Sequence, residues 1–387
     1  MNMLAIVKKL QSRLREHGLG YFSILAKNEI TQPRYRATRY AREALIFARG
    51  LSKKRGGATQ PSNNLQFFYD LSTSAITFDF ASYLANAEIE RRLRNLEAID
   101  VIFVMDPAGR IRDETPEYEA AVNRNARLWR LRNMLLPMIS FLPTIRSVMV
   151  CTRAQAETLI QDDARCIFPS DYRVFLPRQP DKSLIHEHAR AGVPIWPMYQ
   201  ASEHSRKLVA EYLDREAKGR RPIVITLRNY GYTPQRNSRN EDWLAFADSL
   251  DLTRYAPIFV HDAETMMGPP PADFSRHLVF DAASVNLEIR MALYEAAWLH
   301  MALMAGPTEL CWYNERSRYA FFIAVGTAAV QTEEALIRNG HRVGVDLDFA
   351  KPYQRIVWEA DSLPALKREF LTMEALLDKI DAAGGSS

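Results

Sequence analysis

Two arginines eight positions apart, Arg228 and Arg236, carry the clearest chemistry in the chain. A guanidinium stays charged at any working pH, and its forked donors can span two phosphate oxygens. Arg228 is followed by Asn-Tyr-Gly-Tyr, and aromatics such as Tyr232 beside a cation can stack a base or a sugar. Arg236, Asn237 and Ser238 offer a guanidinium, an amide and a hydroxyl just ahead of a helical run beginning near Glu241, where a helix N-terminus also favours an anion. The ordinary alternatives are an ion pair between Arg228 and a neighbouring helix, and a plain lead-in to a helix for residues 236–238. The segment lacks the glycines of a dinucleotide fingerprint or a Walker loop, so a phosphate held here would depend on guanidinium forks more than on backbone amides.

The elements around these residues read as strand, loop, helix, strand. Residues 222–227 form a short β-branched apolar run suited to a strand buried on both faces, and it stops at Arg228. A second apolar run, 256–260, ends in His261-Asp262. In open parallel sheets ligands bind where the carboxyl ends of strands meet their loops. Earlier in the chain a strand at 65–69 closes on Asp70, a helix runs over 78–96, a strand at 100–105 ends in Asp106-Pro107-Ala108-Gly109, a helical stretch covers 117–141 up to Pro137, and a strand follows at 144–150. Later, a strand near 277, a long helix over 287–305, a buried strand or helix at 308–312 and a closing helix over 362–382 are expected. This alternation predicts an α/β protein with two Rossmann-like domains facing across a cleft. The expected divisions are a basic helical extension and linker (1–64), an N-terminal domain (65–200), a C-terminal domain (201–345) and a helical segment (346–387).

Composition is that of an ordinary globular protein: 387 residues, 47% hydrophobic and 25% charged, so disordered and fibrous classes are excluded. No apolar run approaches the length of a membrane span, and the first residues do not have the order of a secretory signal. Cys151, Cys166 and Cys311 are too few and too scattered for a disulfide framework, which points to a reducing cytoplasm. Net charge is +4, yet residues 1–64 hold 13 Lys and Arg against three Glu and no Asp, leaving the remainder acidic. That basic segment suits an anionic lipid surface or nucleic acid, or is a solvated arm packed on its own domain.

On three short motifs the chain resembles the GT-B glycosyltransferases, and more loosely their fucosyltransferase-like branch. They are Val224-Ile225-Thr226-Leu227-Arg228, Ile258-Phe259-Val260-His261-Asp262 and Gly306-Pro307-Thr308-Glu309-Leu310. No histidine precedes Arg228 at that branch's spacing, and residues 71–77 contain no glycine. The resemblance implies transfer of a sugar from a nucleoside-diphosphate donor to a polysaccharide or lipid-linked acceptor. The donor would be held in the C-terminal domain by Arg228, Tyr232, Arg236, Asn237, Ser238, His261, Asp262, Thr308 and Glu309, with Glu309 on the ribose hydroxyls. An inverting transfer needs a base for the acceptor hydroxyl, and Asp70 and Asp79 are the candidates. Asp79 would equally complement a helix macrodipole.

Asp346-Leu347-Asp348 looks like a metal-binding Asp-x-Asp, but such a spacing is expected about once by chance and lies late in the chain, and His186-Glu187-His188 has no third ligand nearby, its histidines being expected to be exposed in a loop. No metal and no cofactor beyond the donor are expected. The setting would be cytoplasmic, with peripheral contact at an anionic membrane open to it and nucleic acid not expected. The competing readings are a non-catalytic binding or scaffold protein of the same fold, docked through its basic arm, and an epimerase of similar shape.

Overall fold

The computed structural model describes residues 23, 26, 27, 29–33, 35–50, 63–106, 108–160, 164–268 and 272–384. Of the basic helical extension and linker expected over 1–64, residues 1–22 and 51–62 lie outside the described residues. The chain divides into two compact units. One comprises Met1–Ala75, Glu90–Asn125 and Thr144–Asp181, and the other Ile76–Ile89, Ala126–Pro143 and Lys182–Ser387. Among the described residues no helix is long and apolar enough to cross a membrane.

The first unit contains strands β1 (Leu65–Asp70), β2 (Ile99–Met105), β3 (Ile145–Thr152) and β4 (Ile167–Phe168), all parallel, in the order β3-β2-β1-β4. All six residues of β1, including the polar Gln66 and Asp70, are buried, as central parallel strands require, whereas β3 at the edge alternates between half-buried and exposed positions. A core of Phe68, Ile102, Val104, Ile167, Tyr172 and Val174 packs on this sheet.

The second unit is built on six parallel strands: β5 (Arg221–Thr226), β6 (Tyr255–Val260), β7 (Leu278–Val279), β8 (Leu299–Leu303), β9 (Tyr319–Phe322) and β10 (Gln354–Val357). Their order is β10-β9-β8-β5-β6-β7. From β5 the chain builds outward through β6 and β7, then returns to lay β8 on the other side of β5. The strand order therefore reverses between β5 and β8, and the crevice at their carboxyl ends is where such sheets take ligands. Trp243, Phe246, Phe259, Phe322, Phe370 and Met373 anchor the core on which the closing helix Leu363–Gly384 packs.

One sequence expectation differs here. The long helix over 287–305 ends at Ala296, and residues 299–303 are instead the central strand β8. At 306–310, where the resemblance implies a small-residue turn followed by a buried strand or helix, the chain makes a tight turn, Gly306–Thr308, running into a short buried helix, Glu309–Trp312. A strand buried on both faces is a continuous apolar run, which periodicity alone does not separate from the end of a buried helix. The helix Asp79–Leu93 also departs from an amphipathic pattern, because Phe80 through Ile89 are buried without interruption.

Candidate functional site

Leaving β5, the chain reaches Arg228, which is 9% exposed. Its backbone N–H donates to Ser238 Oγ at 2.8 Å, and the Ser238 N–H returns a bond to the Arg228 carbonyl at 2.8 Å, closing residues 228–238 into a loop. The guanidinium sits inside that loop. It donates to the carbonyls of Thr233 (3.1 Å) and Tyr232 (2.6 Å) and to Asn237 Oδ1. Asn237 in turn accepts the Tyr230 N–H at 3.0 Å. The Tyr230 ring has the Arg228 and Arg130 guanidiniums 5.6 Å and 5.3 Å from its centroid, and Arg130 donates to its hydroxyl at 2.5 Å. Arg228 is thus the staple of its own loop.

Arg236 is held far less. Among the described residues one bond, to the Met304 carbonyl at 3.3 Å, ties it down, and its Nε is buried with no partner. Burial, then the like charge of Arg228, lower its pKa to about 10, with Tyr232 and Asp79 opposing. It remains a cation at neutral pH. Among the described residues neither Arg228 nor Arg236 forms an ion pair with a carboxylate. Two like charges partly removed from water, one with an unused donor, make a place that an anion would stabilise.

Close by lies a second cluster. Lys182 Nζ donates to Asp79 Oδ1 at 2.6 Å and to Glu309 Oε1 at 2.8 Å, while Ser82 Oγ donates to Glu309 Oε2 at 2.9 Å and receives the Tyr313 hydroxyl at 2.7 Å. The helix Asp79–Leu93 brings Asp79 and Ser82, and the turn after β8 brings Glu309. Gly306 permits this approach, since a Cβ there would stand 2.6 Å from Phe78 Cδ2. Burial penalises the Lys182 ammonium, but its two carboxylates hold its pKa well above the usual lysine value. Burial likewise opposes ionisation of Asp79, yet Lys182 outweighs it and keeps Asp79 below the usual carboxylate range. Glu309 goes the other way: burial, only partly offset by Lys182 and reinforced by Asp79, pushes it up to about 7. One carboxyl of the pair is therefore held ionised, and the other is pushed toward holding its proton near neutrality. The Asp79 side chain keeps 35% of its exposure and Glu309 only 9%.

The remaining sequence-singled residues fall as follows. Tyr232 is half-buried and gives its carbonyl to Arg228. Asn237 and Ser238 hold the loop. Asp262 accepts the Asn229 N–H at 2.7 Å, and burial raises its pKa. His261 is 5% exposed with Nε2 unpartnered, and burial lowers its pKa. Thr308 is fully buried and bonds back to Ala305, capping the turn that carries Glu309. Asp70 lies in the first unit, fully buried, accepting from the N–H (3.0 Å) and Oγ (2.6 Å) of Ser72, from Arg153 (3.2 Å) and from Tyr172 (3.3 Å).

His186 overturns the expectation of an exposed loop histidine. It is 2% exposed on the helix Leu184–Arg190, and Nδ1 bonds Asp348 at 2.9 Å. Asp348 also meets Arg342 at 2.8 Å, while Asp346 accepts the Ile356 N–H at 2.7 Å. His186, Asp346 and Asp348 thus make ordinary structural bonds. Among the described residues no group of three or more His, Cys, Asp and Glu is placed to hold a metal ion.

Sequence reasoning missed Lys182, Ser82, Tyr313 and Arg130. Lys182 stands in a proline-interrupted stretch without periodicity, so no pattern marks it. Ser82 and Tyr313 lie 231 residues apart.

No protein-family model matches the chain, and no curated protein matches it. Solved structures similar to it include a glycosyl transferase family 9 protein from Veillonella parvula, 11% identical, covering 82% of this chain and 100% of that one with a TM-score of 0.48. The ADP-heptose lps heptosyltransferase II of E. coli is 10% identical, covering 82% and 99% with a TM-score of 0.49. The fucosyltransferase NodZ from Bradyrhizobium is 10% identical, covering 64% and 91% with a TM-score of 0.27. At these values the likeness carries no argument about activity, which has to be read from the site.

Proposed function

We propose that the chain is a glycosyltransferase that moves a sugar from a nucleoside-diphosphate donor to a polysaccharide or lipid-linked acceptor, with arginines supplying the positive charge that other such enzymes take from a metal. One observation carries this reading. At the strand-order reversal of a parallel sheet, two guanidiniums that among the described residues pair with no carboxylate stand beside a lysine-bridged pair of carboxyls. Arg236, with its unused Nε, would hold the diphosphate, and Arg228 would keep the loop shaped around it. Charge developing on the departing diphosphate would then be stabilised by donors already in place. His261 and Asp262, at the end of β6, are assigned to the nucleoside.

The reacting base is assigned to Asp79 in preference to Asp70, whose oxygens are all engaged. The acceptor O–H breaks toward Asp79 Oδ and the acceptor oxygen bonds the anomeric carbon. The bond from that carbon to the diphosphate breaks, and its electron pair leaves with the phosphate. Lys182 keeps Asp79 ionised until the proton arrives. Glu309, bonded to Lys182 and Ser82, is given a proton-holding role in place of the ribose contact.

Calorimetric titration with uridine, guanosine and deoxythymidine diphosphates tests the reading. One of them should bind wild type, and Arg236→Ala should weaken it by roughly ten- to a hundredfold, since a charge-assisted bond contributes about 1.5–3 kcal/mol. Arg236→Lys should recover only part. Arg236 is the sharper probe because Arg228→Ala would also release the loop. If no diphosphate binds, or a folded Arg236→Ala binds as tightly as wild type, the proposal fails.

A further inference from the structure

The helix Arg36–Gly50, in the first unit, is inside out. At 100° per residue Tyr40, Ala41, Ala44, Leu45, Phe47 and Ala48 fall in one continuous arc of about 160°. Every one of them is exposed, with Phe47 at 71%, Tyr40 at 67% and Leu45 at 49%. The side facing the protein is held by Arg42 instead, 4% exposed. Its guanidinium donates to the carbonyls of Ile30 (2.8 Å), Pro177 (3.3 Å), Asp171 (3.1 Å) and Leu176 (3.0 Å), and pairs with the Asp171 carboxylate at 3.3 Å. A helix on a water-exposed surface does the reverse, burying its aromatics and solvating its arginines.

We infer that this helix docks the protein on an anionic lipid bilayer, lying in the plane of the interface with Tyr40 and Phe47 entering the boundary between headgroups and acyl chains. Charge complementarity selects a bilayer over another apolar partner. Arg36 lies just past one edge of the arc and Arg49 past the other, Glu43 is the helix's one acid, and residues 1–64 carry a surplus of ten positive charges. An apolar face by itself gives weak and reversible adsorption, and a basic surplus beside it supplies the second attraction that stable interfacial binding needs. The inference does not rest on the transferase reading, since its residues take no part in the site around Arg236.

The test uses the full chain, co-sedimented with vesicles of phosphatidylcholine alone or with added phosphatidylglycerol. Wild type should pellet with the anionic vesicles and bind neutral ones at least about tenfold more weakly, with high salt reducing the anionic binding. Phe47→Glu and Tyr40→Glu should each lower binding by about tenfold or more while leaving the melting temperature in place, because both side chains are already in water. Arg36→Glu should weaken binding to anionic vesicles alone. Wild type that ignores anionic vesicles, or acidic variants that bind as wild type does, would overturn the inference. So would a dimer that Phe47→Glu dissociates, which would show a second copy covering the face, or binding to nucleic acid in preference to vesicles.

Discussion

Glu309 is the residue at which the site's chemistry can be read without a substrate. Its folded pKa, pushed up to about 7, lies above the ordinary glutamate value because burial disfavours its charge. Between the unfolded value and about 7 the native state therefore holds a proton that the unfolded chain has released, and stability falls as pH rises through that window. The groups facing it are Lys182, Asp79, Ser82 and Tyr313, and of these Asp79, held low by Lys182, works in the opposite sense at more acidic pH. Glutamine in place of Glu309 is neutral throughout. The difference in melting temperature between Glu309→Gln and wild type should therefore move in favour of the variant from pH 5 to pH 8, and a difference that stays flat would show that Glu309 does not titrate there. Arg228, Arg236, Asp79 and Glu309 are all legible from sequence as residues at strand or helix ends. What sequence does not distinguish is a strand-end acid that reacts from one that braces. Asp70 and Asp79 look alike until Arg153, 83 residues away, is seen bonded to the first and Lys182, 103 residues away, to the second.

Among the elements, the turn after β8 and the start of the helix Asp79–Leu93 are closely dependent on each other. Gly306 touches Phe78, which directly precedes Asp79, so a methyl group at 306 must displace the ring or the turn. Gly306→Ala is expected to cost about 1–3 kcal/mol in urea unfolding. It should also weaken diphosphate binding more than a remote change of equal cost, because the displaced turn directly follows Met304, whose carbonyl holds Arg236. Wild-type stability in this variant would show that the ring yields freely and that the contact does not set the cluster's geometry. Strands β5 and β6 are plain in sequence because loops rich in Asn, Ser and Asp bound them. By contrast β8 hides at the end of the helix Leu287–Ala296, and β9 and β10 are four residues each, too short for an alternation to register.

For the whole molecule, the division of the chain matters most. Residues 76–89 and 126–143 belong to the second unit although the stretches on both sides of each belong to the first. Residues 182–387 alone thus lack Asp79 and Ser82. They also lack the Ala81 carbonyl, which accepts the Tyr199 hydroxyl, and the Phe141 carbonyl, which accepts the Gln200 N–H at 3.0 Å. A fragment of residues 182–387 should therefore melt broadly and well below the full chain in calorimetry, and a sharp transition at the full chain's temperature would contradict this. The same interleaving sets a timetable during synthesis. Ser82 precedes Glu309 by 227 residues, and at about 5–20 residues per second the ribosome takes roughly 10–45 s to make the second after the first. Throughout that interval the helix, whose Phe80 through Ile89 are buried in the finished protein, is without the Glu309 carboxylate that receives Ser82. The helix that later carries Asp79 is, at its birth, a stretch of sticky surface that a holding chaperone would recognise first.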